Sequence, residues 1–133
     1  MDKLIKQIKK ARFIWTCGNG GSAATAEHLT ADLIKKGYPA VCLNSNTAVI
    51  TMLANDYGYE HIFSEQLKVL GDGTDLLITI SCSGTSQNIL NVEGIALREL
   101  MPIFKFETFG RNKNYGKLED KHLAFAHKIA SKL

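Results

Sequence analysis

Apolar and polar positions fall along this chain in blocks whose spacing switches between helix and strand. Leu4, Ile5, Ile8 and Ala11 recur at the spacing of one helix face, predicting a short first helix. Ala11 to Thr16 is a compact apolar run, predicted as a strand, that ends at the turn Gly18-Asn19-Gly20-Gly21. Ala23 to Lys36 has helix-forming composition with Ala26, Leu29, Leu33 and Ile34 on one side, Ser22 as N-cap and Gly37 as stop. A second strand is expected at Ala40 to Leu43. Beyond the turn Asn44-Ser45-Asn46, a helix is expected from Thr47 to Ala54, stopping around Asn55-Asp56-Tyr57-Gly58. Ile62 to Leu70 reads as a further helix closed by Gly71-Asp72-Gly73. Asp75 to Ile80 is a nearly continuous apolar run, the pattern of a strand buried on both faces of a parallel sheet. A hydroxyl-rich turn, Ser81 to Gln87, leads to a helix over Asn88 to Leu100. Pro102 to Phe109 then gives a fourth strand, Gly110 to Lys117 a polar loop, and Leu118 to Leu133 a closing helix.

Strands alternating with helices predict an α/β fold, a three-layer sandwich with a parallel sheet of about four strands flanked by helices. In such sheets ligands bind at the carboxyl ends of the strands. Both unusual turns, Gly18 to Gly21 and Ser81 to Ser86, fall at that edge.

Composition narrows the class without naming a function. The 133 residues suit one domain, and 45% hydrophobic with 22% charged residues is ordinary for a globular protein. The net charge of +3 is mild and the lysines are scattered, so they read as solvated helix faces rather than a nucleic-acid surface. Cys17, Cys42 and Cys82 form no CxxC pair and each closes an apolar run, so reduced, partly buried thiols are expected. The charged amphipathic start, without an apolar core, does not read as a signal peptide, and no apolar stretch is long enough for a membrane span. A cytoplasmic location is the expectation.

The chemistry concentrates at the two turns. Gly18 to Gly21 runs straight into a helix, so glycine backbone and unpaired helix N–H groups converge where an anion could sit. Ser81, Ser83, Thr85 and Ser86 place four hydroxyls in six residues before another helix, with Gly84 allowing a tight curve. That turn reads either as a phosphate cradle or as an N-cap within a polar loop. His28 and Asp32, four residues apart, share one helix face. They are either an exposed pair or part of a site, and Glu119, Asp120, His122 and His127 on the last helix are either structural or part of a site.

Together the segments Cys17 to His28 (CGNGGSAATAEH), Ala54 to Gln66 (ANDYGYEHIFSEQ), Gly71 to Leu90 (GDGTDLLITISCSGTSQNIL) and His122 to His127 (HLAFAH) resemble the sugar isomerase (SIS) domain, and within it the phosphoheptose isomerases. The resemblance implies a flavodoxin-like SIS fold over residues 1–133 as one domain, shortened in the N-terminal helical segment and before the last helix. It implies an isomerase that interconverts an aldose and a ketose phosphate, sedoheptulose 7-phosphate and a heptose 7-phosphate, in surface polysaccharide (lipopolysaccharide or capsule heptose) synthesis. Carried over by position, Asn19, Gly20, Gly21 and Ser22 line the first turn, and Ser81, Cys82, Ser83 and Ser86 hold the phosphate. Asn55 and Asp56 match the family's substrate-contacting pair, and Glu119 also faces substrate. Cys82 stands where threonine is common and Thr85 where asparagine is usual.

Many members hold zinc, and the corresponding residues here are His28, Asp32, Glu119 and His127. Asp32 replaces a glutamate and Glu119 a glutamine, and all four side chains are competent zinc ligands. Eight residues of helix rise about 12 Å. Glu119 and His127 can therefore share one metal only if Glu119 precedes the helix or the ligands come from different subunits, and His122 is a rival on spacing. The resemblance assigns Asp32 as the base and His127 as acid/base partner in proton transfer between C1 and C2. It implies a homo-oligomer, tetramer or dimer, with a sugar phosphate as ligand and neither nucleic acid nor membrane as partner. The competing reading is a non-catalytic SIS module that binds a sugar phosphate or a protein partner.

Overall fold

The computed structural model describes residues 1–109 and 114–133. Its elements run α1 (Asp2–Lys10), β1 (Ile14–Gly18), α2 (Gly21–Lys35), β2 (Ala40–Cys42), α3 (Thr47–Tyr57), a 3-10 turn (Tyr59–His61), α4 (Ser64–Leu70), β3 (Leu76–Ile80), α5 (Gln87–Arg98), β4 (Ile103–Lys105) and α6 (Tyr115–Ala130). The four strands form one sheet in the order β2-β1-β3-β4, and every pairing is parallel. The expected three-layer α/β sandwich is therefore the observed one.

The period-two pleat divides the strand side chains between two cores. Ile14, Leu76, Ile78 and Ile80 face α1, α2 and α6, packing on Leu4, Ile8, Ala26, Leu29, Leu33, Ala126 and Ile129. Trp15, Cys17 and Leu77 face the other way, onto Leu53, Phe63, Leu67, Ile89 and Val92 of α3, α4 and α5. With helices on both faces, β1 and β3 are buried at every position, which explains their nearly continuous apolar runs. Polar side chains in this interior are paired. Thr16 and Thr30 hydroxyls lie 2.6 Å apart, and Glu93 accepts from the Thr79 hydroxyl at 2.8 Å while binding the Lys105 ammonium.

At the amino edge of the sheet, away from both unusual turns, the buried Asp75 carboxylate gathers four donors. Arg12 Nη2 reaches it at 2.9 Å, Trp15 Nε1 at 2.8 Å, Phe13 N at 3.1 Å and Asp72 N at 2.9 Å. This knot ties the entry of β1 to the entry of β3.

Several expected boundaries move, each for a local reason. The N-cap of α2 is Gly20 rather than Ser22, because its φ of 57°, which glycine adopts readily, turns the chain two residues earlier. Helix α3 runs through Asn55 and Asp56 to Tyr57 and stops at Gly58, whose φ of 98° is the conformation that ends it. The fourth strand keeps only Ile103–Lys105, but the chain still follows β3 beyond it. Phe106 N donates to the Thr79 carbonyl at 3.0 Å and Phe109 N to that of Cys82 at 2.8 Å. The closing helix starts earlier than expected, at Tyr115, because the Asn114 side chain caps it by accepting from Lys117 N at 3.0 Å. The first part of the predicted loop, residues 110–113, lies outside the described residues. No helix among the described residues is long and apolar enough to cross a membrane.

Candidate functional site

The strand order reverses direction between β1 and β3, and both unusual turns leave the sheet there. A crevice opens at this point, lined by Asn19 and Ser22 from the first turn, Ser81, Cys82, Ser83 and Ser86 from the second, and Tyr115 and Glu119 from α6. Its volume is about 110 Å³.

The first turn is shaped by backbone proximity. A Cβ on Gly18 would sit 2.5 Å from the Ser22 carbonyl oxygen, so only glycine lets β1 pass directly beneath the start of α2. Strand β2 has already ended here, and the Asn44 amide takes over its pairing. Asn44 Nδ2 donates to the Gly18 carbonyl at 2.9 Å, and its Oδ1 accepts from Gly18 N at 3.1 Å. The other flank of the turn is held by Asn88 on α5. The two amides pair reciprocally, Asn19 Nδ2 to Asn88 Oδ1 and Asn88 Nδ2 to Asn19 Oδ1, each at 2.9 Å.

The second turn uses part of its hydroxyl supply on itself. Ser81 Oγ accepts from Gly84 N at 3.0 Å and Ser83 Oγ from Thr85 N at 3.2 Å, so among the described residues both hydroxyl hydrogens are left for a ligand. Gly84 takes a φ of 66°, the left-handed bend that closes the loop. Ser86 is the N-cap of α5 without a side-chain cap bond, and its hydroxyl has no partner among the described residues. Hydroxyl hydrogens and helix N-terminal amides aimed into one crevice make an anion cradle.

Cys82 closes the cradle's floor, its Sγ 4.0 Å from the Ser22 hydroxyl and 4.0 Å from His122 Nδ1. Burial pushes the thiol above its ordinary range, the Ser22 hydroxyl partly offsets this, and the Glu119 carboxylate adds to it. Cys82 is thus a neutral thiol at pH 7, a weak donor rather than a nucleophile. His122 is 2% exposed and donates from Nε2 to the Glu107 carbonyl at 2.7 Å. That bond fixes its tautomer and leaves the Nδ1 lone pair toward the thiol.

Helices α2 and α6 run side by side, and their contact has two polar ends. At the cradle end the Glu119 carboxylate packs against Gly21, where a Cβ would collide with it. Further along, His28 and His127 bring their Nε2 atoms to 2.9 Å, and Asp32 Oδ2 lies 3.5 Å from His28 Nε2. Ligand atoms of these three residues all fall within 4.8 Å of one another. Two imidazoles and a carboxylate converging in this way form a three-ligand set of the kind that leaves a zinc coordination position open. Glu119 lies inside α6 rather than before it, about 12 Å of helix rise from His127. It therefore faces the cradle and is not in the cluster, and His122, buried beneath Cys82, is not in it either.

Of the remaining candidates, Gly20 and Gly21 form the turn into α2 without side chains of their own. Asn55 and Asp56 are exposed on the last turn of α3, with Asn55 Nδ2 donating to Asp56 Oδ1 at 2.9 Å, and do not line the crevice. Sequence reasoning missed Asn88, Tyr59 and Tyr115. Asn88 follows Ser86 by two residues, but nothing in the order of residues pairs it with Asn19 across 69 positions.

Comparison with known proteins fits this geometry. The pattern that defines the SIS domain matches residues 1–102. The phosphoheptose isomerase of Helicobacter pylori strain P12 is 44% identical over 93 residues, covering 65% of this chain and 48% of that protein. The chain spans about half the length of such curated relatives. Among solved structures, the phosphoheptose isomerase of Neisseria gonorrhoeae superposes with a TM-score of 0.91 at 27% identity, covering 98% of this chain and 80% of that one. The enzyme from Francisella tularensis gives 0.89 at 26% identity, covering 98% and 82%.

Proposed function

Because this chain belongs to the SIS domain family, we propose that it isomerises a sugar phosphate, interconverting sedoheptulose 7-phosphate and an aldoheptose 7-phosphate for surface polysaccharide synthesis. The observation that carries the reading is the pair of polar ends on α2 and α6. One end is a hydroxyl-lined anion cradle, and the other is a cluster of two imidazoles and a carboxylate. Gly21 and His28 are seven residues apart on α2, about 10 Å of helix rise. An extended seven-carbon chain with C–C bonds of about 1.5 Å spans a similar length from its phosphate to its carbonyl end. Phosphate in the cradle thus brings the reacting carbons to the cluster.

Within that pose Ser81, Ser83 and Ser86 donate hydroxyl hydrogens to the phosphate, joined by the N–H groups opening α5. Glu119 is the one ionised side chain among the described residues lining the crevice. It accepts hydrogen bonds from the sugar hydroxyls next to the phosphate. At the far end Asp32 removes the proton from the carbon beside the carbonyl, and His127 exchanges a proton with the oxygens as the enediol forms and collapses. His28, Asp32 and His127 have the right donors to hold zinc, which would polarise the carbonyl and stabilise charge on its oxygen. A homo-oligomer is part of the proposal, since Met52, Tyr57 and Tyr59 are exposed around Asn55 and Asp56 and a second copy would cover them.

The test compares sedoheptulose 7-phosphate with unphosphorylated sedoheptulose. Turnover is expected only for the phosphate ester, lost on treatment with a chelator and restored by zinc. Absence of turnover in zinc-supplied protein that still binds the sugar phosphate would replace this reading with the non-catalytic module.

A further inference from the structure

We propose that Asn88 and Tyr59 are positioning residues that orient the Asn19 amide so that it presents a donor to the bound phosphate. The inference rests on the phosphate-cradle reading of the crevice. Asn88 is 2% exposed at the start of α5, and both heteroatoms of its side chain are spent on Asn19. Tyr59, from the 3-10 turn, donates its hydroxyl to the same Asn19 Oδ1 at 3.1 Å.

An amide oxygen has two lone pairs and an amide nitrogen two hydrogens. Asn19 Oδ1 accepts from Asn88 Nδ2 and from the Tyr59 hydroxyl, so its acceptor capacity is full. Asn19 Nδ2 gives one hydrogen to Asn88 Oδ1, and its second hydrogen has no partner among the described residues. Asn19 lines the crevice, so that second N–H is the group it offers to a ligand.

A flip of Asn19 alone would set Nδ2 against Asn88 Nδ2 and Oδ1 against Asn88 Oδ1, losing both bonds of the pair and turning an oxygen toward the anion, while the Tyr59 hydroxyl can accept as well as donate. The pair with Asn88 and the Tyr59 hydroxyl therefore hold the plane of the Asn19 amide at the crevice wall, where a bound anion selects the donor face and the pair can turn over together to present it. They also clip the β1 turn to the helix that follows the β3 turn, which fixes the distance between the two halves of the cradle.

The experiment titrates inorganic phosphate into the wild-type chain, Asn88→Ala and Tyr59→Phe by calorimetry, with melting temperatures measured without ligand. Tyr59 is 57% exposed, so its phenylalanine variant keeps the fold and serves if Asn88→Ala does not. Phosphate affinity is expected to fall about tenfold for Asn88→Ala and about threefold for Tyr59→Phe, the latter at unchanged melting temperature. In turnover assays with the sugar phosphate the Tyr59→Phe change should appear in KM and not in kcat. Wild-type Kd in Tyr59→Phe, or a loss that appears only with a fall in its melting temperature, overturns the proposal while leaving the cradle in place. A wild-type chain that binds no phosphate overturns the cradle reading and this inference with it.

Discussion

Replacing His127 by alanine is expected to lower turnover of the sugar phosphate by about a thousandfold or more, with the fold and phosphate affinity retained. His127 is exposed and its recorded partner is His28, so its loss removes no core packing. What it removes is one of two imidazoles at the reacting end and one of three candidate metal ligands. Asp32→Asn keeps the shape of the side chain but deletes the base, and a comparable loss is expected. His127 lies about two helical turns from the cradle and Asp32 about three, so inorganic phosphate should bind each variant as it binds the wild type. Turnover and phosphate titration, measured together, separate the chemical end from the anchoring end. Unchanged turnover in both variants would remove these residues from the mechanism.

Asp75→Ala is expected to cost about 3–5 kcal/mol of stability, through a different mechanism at the opposite edge of the sheet. The Asp75 side chain is fully buried and serves Arg12, Trp15 Nε1, Phe13 N and Asp72 N. Alanine leaves the indole and two peptide N–H groups without an acceptor in the interior, and desolvated donors without partners are costly. Arg12 is 46% exposed and regains water, so the ion pair itself contributes the smaller share. For a domain of this size the melting temperature should fall by about 10 °C or more. Turnover measured well below the transition should stay close to wild type, because the knot lies at the amino edge and the crevice at the carboxyl edge. An unfolding free energy from urea titration within about 0.5 kcal/mol of wild type would show that the knot is not structural.

These two sites differ in how visible they are in the sequence. The order of elements and the parallel sheet were legible because β1 and β3 are buried on both faces, which favours nearly continuous apolar runs such as Leu76–Ile80. The placement of both turns at the carboxyl edge followed from that order. His28 and Asp32 were legible as a pair from their spacing alone, whereas the approach of His127 depends on α2 and α6 packing side by side.

Other features were hidden for physical reasons. Ser22 has the composition of an N-cap, yet Gly20 reaches a positive φ first and Ser22 becomes part of the crevice wall. Asn55 and Asp56 look like a helix stop, yet Gly58 is the residue that can adopt the terminating conformation. The position of Glu119 depended on where α6 begins, which is set by the Asn114 cap rather than by the apolar period. The Asn19–Asn88 pair and the Asp75 knot join residues 60 or more positions apart, a relation that no local pattern carries.

The most direct measurement is incubation of the zinc-supplied chain with sedoheptulose 7-phosphate in deuterated water, followed by nuclear magnetic resonance of the recovered sugar. Proton transfer through an enediol predicts deuterium at the carbon beside the carbonyl and the appearance of the aldose phosphate, both absent in Asp32→Asn. Sugar phosphate recovered with neither deuterium nor any aldose phosphate, from protein that binds it, would contradict an isomerase site on this chain.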